Sequence, residues 1–593
     1  MAVIQLPIVK GAGKRADIAD YVDLLPENML AVQKDVLSAA GYMHSMSGIV
    51  KTADVDGVSR GAEYNTKQNA VFRVAGGVLY SGTEPQNVAI PGGGRVSMAH
   101  SYNSQGIAAG GKLYYYQYSD KTLAVLENWP KTVIEQVGYK KTLSTWTHAD
   151  GRDDAFYVPA ESLDGKITIT LTPTKSDGTT GESLTISEGQ WGAEQKQDKP
   201  DGGGPYLTEV IATGEKTAGS VVTLTWKFNG GGTDATAASV DLKVEEVALD
   251  YAQYDIGSVR DICHNRSRYI WVKDGSDNFG ITDLEDETRP DQYRPFYRAE
   301  SMPDGIQGIA SWRDMVVCFG TATTEYFSLT GSTSATDSVY IAQPSLMIDI
   351  GIAGTFCKCH YGESFAVLSH PATGTPGIYL VDSGSKTELS TPTIRKILAG
   401  YSVAELSAGV LEHVQFDGHD LLIVHLPEHV LCFDSAVSAR SGAQWCILKT
   451  GLYSDVWRAI DLVWDGSAIT LGDKREGVFG ALDFTLASQY GGASELLLYT
   501  PLAKADNALL FDLQLESASG LSAHAEKCFV AATTDGVTYG REQLIPSNST
   551  FRYDQRVLLR RIGRCRKNIG FRFRFVTSTP ASLAQCQLRS NDG

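Results

Sequence analysis

Residues 268–331 read RYIWVKDGSDNFGITDLEDETRPDQYRPFYRAESMPDGIQGIASWRDMVVCFGTATTEYFSLTG and contain one unit twice. Each copy has a short apolar strand, a tight polar turn and a second strand. The first copy runs 269–272, turns at Asp274 and Gly275, and returns over 279–282. The second runs 315–319, turns over 320–324, and returns over 325–329. Glycine reaches positive φ without a Cβ clash, and an aspartate in a turn accepts from its own backbone. The apolar runs are Val, Ile, Phe, Tyr and Trp, side chains that fit a pleated, packed surface. A chain built from such units folds as repeated antiparallel sheets.

The same pattern continues on both sides. AVFRVAGGVLYSG (70–82) and GIAAGGKLYYYQY (106–118) are strand, Gly-Gly, strand. Further units lie at 365–381, 414–433 and 459–484. Residues 131–250 differ: they are rich in Thr and Gly, alternate with period two at 168–172, 221–226 and 240–247, and carry glycine runs at 202–204 and 230–232. This reads as a separate sandwich inserted in a loop of its host, a position that tolerates insertion. Without it, 57–130 joins 251–484, enough for about six four-stranded propeller blades of roughly 40–50 residues. A capping box, Ser402 with Glu405, places one helix ahead of Leu406, Val410 and Leu411.

The expected fold class is therefore all-β. It comprises an N-terminal arm (1–56), a propeller in two parts (57–130 and 251–485), the inserted sandwich (131–250) and a C-terminal sandwich-like domain (486–593). The arm lacks periodicity, with a short helix conceivable over 33–40, and is expected to lie on a neighbouring subunit. FRFRFV (571–576) sets three Phe on one face and Arg572 and Arg574 on the other.

With 52 basic and 69 acidic residues the net charge is −17, a poor basis for generic nucleic-acid binding, which needs Lys and Arg against phosphate. Nine scattered cysteines imply no disulfide framework. The first residues carry no signal-peptide core, and no apolar run approaches membrane length, so synthesis in a cytoplasm is expected.

Several constellations could carry chemistry. GVSRG (57–61) matches the nucleophile-elbow pattern, but a strand rather than a helix follows Ser59. Asp283, Glu285, Asp286 and Glu287 form an acidic loop suited to glycoside hydrolysis or an oxygen-ligated metal; the plainer reading is a solvated turn paired with Arg289, Arg294 and Arg298. His413, His419, His425 and His429 crowd one hairpin, yet a metal needs three convergent ligands. Cys357, Cys359 and His360 lack a second ligand pair. Residues 551–575 hold nine Arg or Lys and one acid; Arg560, Arg561, Arg564, Arg566 and Lys567, with Asp283, Glu285 and Asp286, are the candidate interface residues. No catalytic residue, cofactor or metal is expected.

A resemblance adds to this. ADYVDLLPENMLA (19–31), GVSRGAEYNTKQNAVFRVAGG (57–77), RVSMAH (95–100), IGSVRDI (256–262), ITDLEDETRPDQY (281–293) and YRAESMPDGI (297–306) resemble, in order, the packaged-DNA-stabilisation family, the tail hub or nozzle of short-tailed Salmonella-type phages. AQPSLM, GIAGTFCK, QWCILKTGLY, LAKADN, ATTDGVTYGREQ and GRCRKNIGF extend the match. Family members join NWP almost directly to QYDIGSVRD, so 131–250 has no counterpart there. The resemblance implies a non-enzymatic virion protein. It would form a hexameric ring below portal and adaptor, retain packaged DNA, pass double-stranded DNA through its lumen, and hold tailspikes or fibres and a tail needle. Two other classes stay open. One is a propeller glycosidase using the acidic loop. The other is a carbohydrate- or receptor-binding protein, touching the host surface through Trp191, Tyr206 and Trp226 of the insert.

Overall fold

The computed structural model describes all residues except 1, 9–10, 15–19, 35–38, 40, 127–133, 144–151, 158–165, 176–177, 188–189, 199–204, 214–220, 230–237, 248–254, 285, 292–293, 333–336, 372–373, 438–443, 453–454, 520–525, 549–556 and 592–593. The chain divides into two compact units, residues 1–126 with 256–593, and residues 127–255. The second is slightly wider at both ends than the 131–250 read from composition.

In the first unit the strand–turn–strand pattern builds seven four-stranded antiparallel sheets among the described residues, one more than the roughly six expected. In chain order their first strands are Ser59–Asn65, Ser97–His100, Val259–Asn265, Gly308–Trp312, Lys358–Tyr361, Val410–Phe416 and Ala459–Trp464. These first strands pack against one another, blade one on two, two on three, three on four, five on six, six on seven and seven on one. Between blades four and five the Lys358 side chain does this work. It lies against Gly308 and reaches across to Asp261 of blade three, 2.9 Å away. At Gly308 a Cβ would stand 2.6 Å from Lys358 Cε, so the bare glycine backbone is what admits the lysine.

Blade seven is completed from outside the repeat. Its fourth strand is Gly48–Asp54, which pairs antiparallel with Val478–Asp483. The N-terminal segment thus closes the propeller, joining the last blade to the chain just ahead of the first. Ile49, 1% exposed, sits opposite Leu482 and packs with Leu462, Leu471 and Trp457.

The N-terminal arm is corrected in the same way. Ala2–Leu6 pairs in register with the last strand, Ala581–Ser590; Met29–Val32 and Tyr42–Ser45 add to the same sheet. Leu6, Ile8, Met29 and Met43 are buried with Phe571, Phe573, Leu513 and Leu588 in one core. A segment with buried apolar side chains and an open sheet edge beside it gains more within its own chain than on a neighbour. The helix considered over 33–40 falls largely outside the described residues, since 35–38 and 40 are not described.

The C-terminal domain therefore consists of a six-stranded sheet that includes these N-terminal strands and a five-stranded sheet, Ser494–Tyr499, Asn568–Thr577, Glu526–Thr533 and Gln543–Asn548 with Ala503–Lys504. In Asn568–Thr577 the alternation is as expected: Phe571, Phe573 and Phe575 are buried, while Arg572 and Arg574 turn to the other face. The capping box exists, Ser402 with Glu405, but its helix is the single turn Val403–Ser407, and Val410 and Leu411 already belong to the next strand. A second helix, Pro392–Leu398, capped by Thr391, precedes it.

Among its described residues the second unit holds two antiparallel sheets. One orders Ile134–Leu143, Ala238–Val247, Lys166–Lys175 and Leu184–Ser187; the other orders Arg152–Tyr157, Val221–Asn229 and Tyr206–Thr213. Leu171, Ile186, Leu207, Val210 and Ala212 are buried. The glycine runs at 202–204 and 230–232 lie outside the described residues.

Candidate functional site

The basic stretch folds into the strand Val557–Arg564, the turn Cys565 to Lys567, and the strand Asn568–Thr577. Among the described residues Val557–Arg564 pairs only with Leu509–Ser519 within its sheet and so stands at its edge. A bulge opposite Asp512, together with positive φ at Arg561 (61°) and Gly563 (104°), breaks the alternation, so Arg560, Arg561 and Arg564 all face solvent. Arg566 and Lys567 extend the same face from the turn, where the backbone is pinned by Cys565 N–H donating to Ala508 O at 2.9 Å. Asp512, opposite Arg560, is taken instead by Arg589 at 2.7 Å. Among the described residues none of these five cations has an ion-pair partner. Leu509 and Phe511, 42% and 39% exposed, stand on the neighbouring strand. Arg572 and Arg574 belong elsewhere: both bond Glu542, and Arg574 also meets Glu495.

Among the described residues, Asp286 and Glu287 of the acidic loop turn to different partners. Asp286 Oδ1 accepts from Thr288 N–H at 3.0 Å, and its other oxygen meets Arg289 at 3.2 Å. Asp283 is held at the loop base, its N–H donating to Arg289 O at 2.9 Å. Glu285 lies outside the described residues. Glu287 turns inward and accepts from Ser101 and Ser104 hydroxyls at 2.7 and 3.1 Å; burial raises its carboxyl pKa against those bonds. Arg294 donates to Ser338, and Arg268 pairs with Asp291.

The hairpin histidines separate as well. His413 meets Asp420, His419 meets Asp434, His425 meets Glu412, and His429 meets the Tyr401 hydroxyl. Ser59 is on a first strand and donates to Asp461 at 2.6 Å, so it is no elbow. Cys357 is buried, and desolvation pushes its thiol up to about 12; the same burial lowers His360 to about 4. In the insert, Trp191 and Tyr206 are half-buried; the Trp226 side chain lies outside the description.

Sequence reasoning missed a charged belt where the first strands meet. Glu63 pairs with His100 (2.9 Å) and accepts from Gln105 (2.6 Å). Asp261, 2% exposed, takes Lys358 and the Ile309 N–H. At the closing seam Asp461 of blade seven binds Ser59 of blade one and Arg95, which precedes blade two. Arg73, 2% exposed, donates to the Asp461 carbonyl at 2.8 Å, and Glu412 of blade six accepts from the Asp461 N–H at 2.5 Å. Burial alone would raise the Asp461 pKa; the guanidiniums of Arg95 and Arg73 outweigh it and hold the carboxyl below its usual value. The belt ties the blades through complementary charge and hydrogen bonds, a positioning role rather than a reactive one. The available signal was a lone charge inside an otherwise apolar strand, as in AVFRVA and AIDLVW.

Comparison with known proteins gives a consistent picture. Residues 4–152 and 214–487 match the family described as Bacteriophage P22 Gp10, beta-propeller; residues 495–591 match that described as Bacteriophage P22 Gp10, beta-sandwich. The stretch between the two propeller matches is 153–213, shorter than the 131–250 expected to lack a counterpart. A curated relative, the tail hub protein gp10 of Salmonella phage P22, is 43% identical over 589 residues, covering 99% of this chain and 100% of the relative. Among solved structures, an exo-β-1,3-galactanase from Phanerochaete chrysosporium aligns over 70% of this chain and 98% of its own, at 8% identity and a TM-score of 0.22. The extracellular domain of a putative hybrid two-component system from B. thetaiotaomicron aligns over 96% and 84%, at 11% identity and a TM-score of 0.24. Likenesses this slight carry no argument.

Proposed function

The chain belongs to the Bacteriophage P22 Gp10 family, and from that membership we propose that it is a hub that encloses the DNA path of a phage tail. As a member of that family it is a structural protein of the virion tail. The observation that carries the further reading is identity of 43% across 99% of this chain and the whole of the tail hub relative, with both the propeller and the sandwich matched. In the proposed assembly, copies close into a hexameric ring under the adaptor, retain packaged double-stranded DNA, and present surfaces to a tailspike or fibre and to the tail needle. A ring is the arrangement that head-to-tail contacts between identical chains reach when the rotation closes. The net charge of −17 suits a conduit, because an acidic lumen repels phosphate and lets DNA slide.

The hairpin bearing Arg560, Arg561, Arg564, Arg566 and Lys567 is the proposed contact with an acidic neighbour. Its support is five exposed cations without ion pairs among the described residues, beside exposed Leu509 and Phe511. Asp283 and Asp286 stand as a second, weaker candidate contact. No catalysis is assigned: among the described residues Asp286 serves a backbone amide and Arg289, and Glu287 turns inward to Ser101 and Ser104. The insert stands in this reading as an added domain with a role at the host surface.

The test is a phage in which expression of this chain is suppressed. Under the proposal the particles package DNA but release it and lack a complete tail. Stable, fully tailed particles would overturn it.

A further inference from the structure

A cavity of about 390 Å³ opens between blades six, seven and one, at the end of the propeller where their first strands begin. Arg60, Arg95, Arg458, Lys474, Arg475 and His425 are in its wall, and no Asp or Glu is among its described lining residues. The acids nearby are engaged behind or beside the wall. Asp461 holds Arg95, Asp473 and Glu476 hold Arg458, and Asp455 lies 3.6 Å from Arg475.

Two cations are left without a carboxylate. Arg60 spends its guanidinium on the carbonyls of Gly76, Ile90, Pro91 and Gly94, at 2.7–3.1 Å. Lys474 Nζ has the Trp457 carbonyl at 3.1 Å and no ion pair. A largely buried ammonium with one neutral acceptor is costly. Desolvation lowers its pKa to about 8, so it remains charged near neutrality.

One buried donor beside it is also unmatched: Trp457, 1% exposed, has no acceptor for its Nε1–H. His425, 3% exposed, donates from Nε2 to Glu412 at 3.1 Å, which leaves its Nδ1 an acceptor. Their rings are parallel, with centroids 6.2 Å apart, which fixes both on one wall. Apart from Ser59, whose hydroxyl is given to Asp461, the rest of the lining is apolar and includes Val58, Val410, Leu426, Val456 and Ile460.

We propose that this cavity is a binding site for a small organic anion, whose phosphate or carboxylate group is held by Lys474 and the surrounding guanidiniums while its body rests on the apolar wall. Glu412, Asp461 and Asp473 favour the Lys474 charge from a distance without pairing with it; such a group would add the direct ion pair and accept from more than one fixed donor, the arrangement in which charge-assisted bonds are strongest. A site joining three blades across the closing seam would also couple ligand to ring closure, since a ligand bound only by the folded form stabilises it.

The test uses the full chain, with inorganic phosphate and glutarate as separate probes at constant ionic strength, read by thermal melting and by titration calorimetry. Wild type is expected to show a saturable rise in Tm with one or both probes; which probe binds distinguishes phosphate from carboxylate chemistry. Lys474→Met is expected to weaken affinity roughly tenfold or more, and Arg475→Gln, a more exposed change that leaves the fold intact, several-fold. Lys504→Gln, far from the cavity lining, should respond as wild type. No saturable response in wild type overturns the site. So does an equal response in Lys474→Met, which would mark a general salt effect; if that variant does not fold, an unaltered affinity in Arg475→Gln overturns it.

Discussion

Replacing Asp461 by Asn should unpick the seam that closes the propeller. Asp461 is 6% exposed and takes two donors through its carboxylate, Ser59 at 2.6 Å and Arg95. Its backbone sits at φ 58°, a conformation that Asn tolerates and Ala does not, so Asn isolates the charge from backbone strain. Removing one member of a buried ion pair costs about 3–5 kcal/mol because the other charge is stranded. Arg95 is 22% exposed at its side chain while Asp461 is 3%, so solvent reaches one partner, and Asn keeps the bond to Ser59. The expected cost therefore falls just below that range, at about 2–3 kcal/mol. Urea unfolding followed by tryptophan emission measures it, as a lowered midpoint at unchanged slope. The pH dependence gives an independent check. A carboxyl whose pKa is lower folded than unfolded adds stability above its unfolded value, near 4, and that stability is lost as pH falls through the folded value. The variant should lose less stability than wild type in that acidic window. A cost under about 0.5 kcal/mol, the range of ordinary surface substitutions, with an unchanged acid profile, would refute the view that these charges hold the seam.

Four further outcomes are expected. Leu6→Ala should destabilise the C-terminal domain by about 2–3 kcal/mol, since Leu6 is 4% exposed in its core; thermal melting with no change would return the N-terminus to the role of a free arm. Replacing residues 127–255 by a short Gly/Ser linker should leave the host unit folded by circular dichroism, because that unit's sheets are complete without the insert; an insoluble product would contradict this. Arg560→Glu with Arg564→Glu should shift monomer stability by under about 0.5 kcal/mol yet weaken assembly measured by sedimentation, and unaltered assembly would remove the hairpin from the interface. Asp283→Asn with Asp286→Asn should change no hydrolytic rate on surface polysaccharide; a turnover abolished by these changes would revive the glycosidase reading.

The parts of the fold legible in the sequence were those whose partners are close along the chain. In residues 268–331 each strand meets the next across a short turn, and the glycines and apolar runs announce it. Gly48–Asp54 was not legible as a blade strand, because its partner Val478–Asp483 lies at the other end of the propeller and GIVKTAD alternates weakly. The same applies to Ala2–Leu6 on Ala581–Ser590. Long-range pairings leave no local signature, so the first residues read as an arm; the blade count, taken from length alone, fell one short. At the site, the basic hairpin was visible as a run of Arg and Lys, but its division was not. The bulge near Asp512 turns Arg560 and Arg564 outward, while alternation sends Arg572 and Arg574 to Glu542. The belt at the seam joins Arg73, Arg95, Glu412 and Asp461, which only the closed ring brings together.

The central claim is a ring-forming tail hub, and electron microscopy of the purified protein with and without the adaptor of the same phage tests it most directly. The account predicts closed rings with an axial opening, seated on the adaptor and reinforced by it. Particles that remain single chains in both conditions, with adaptor left bare, would contradict it.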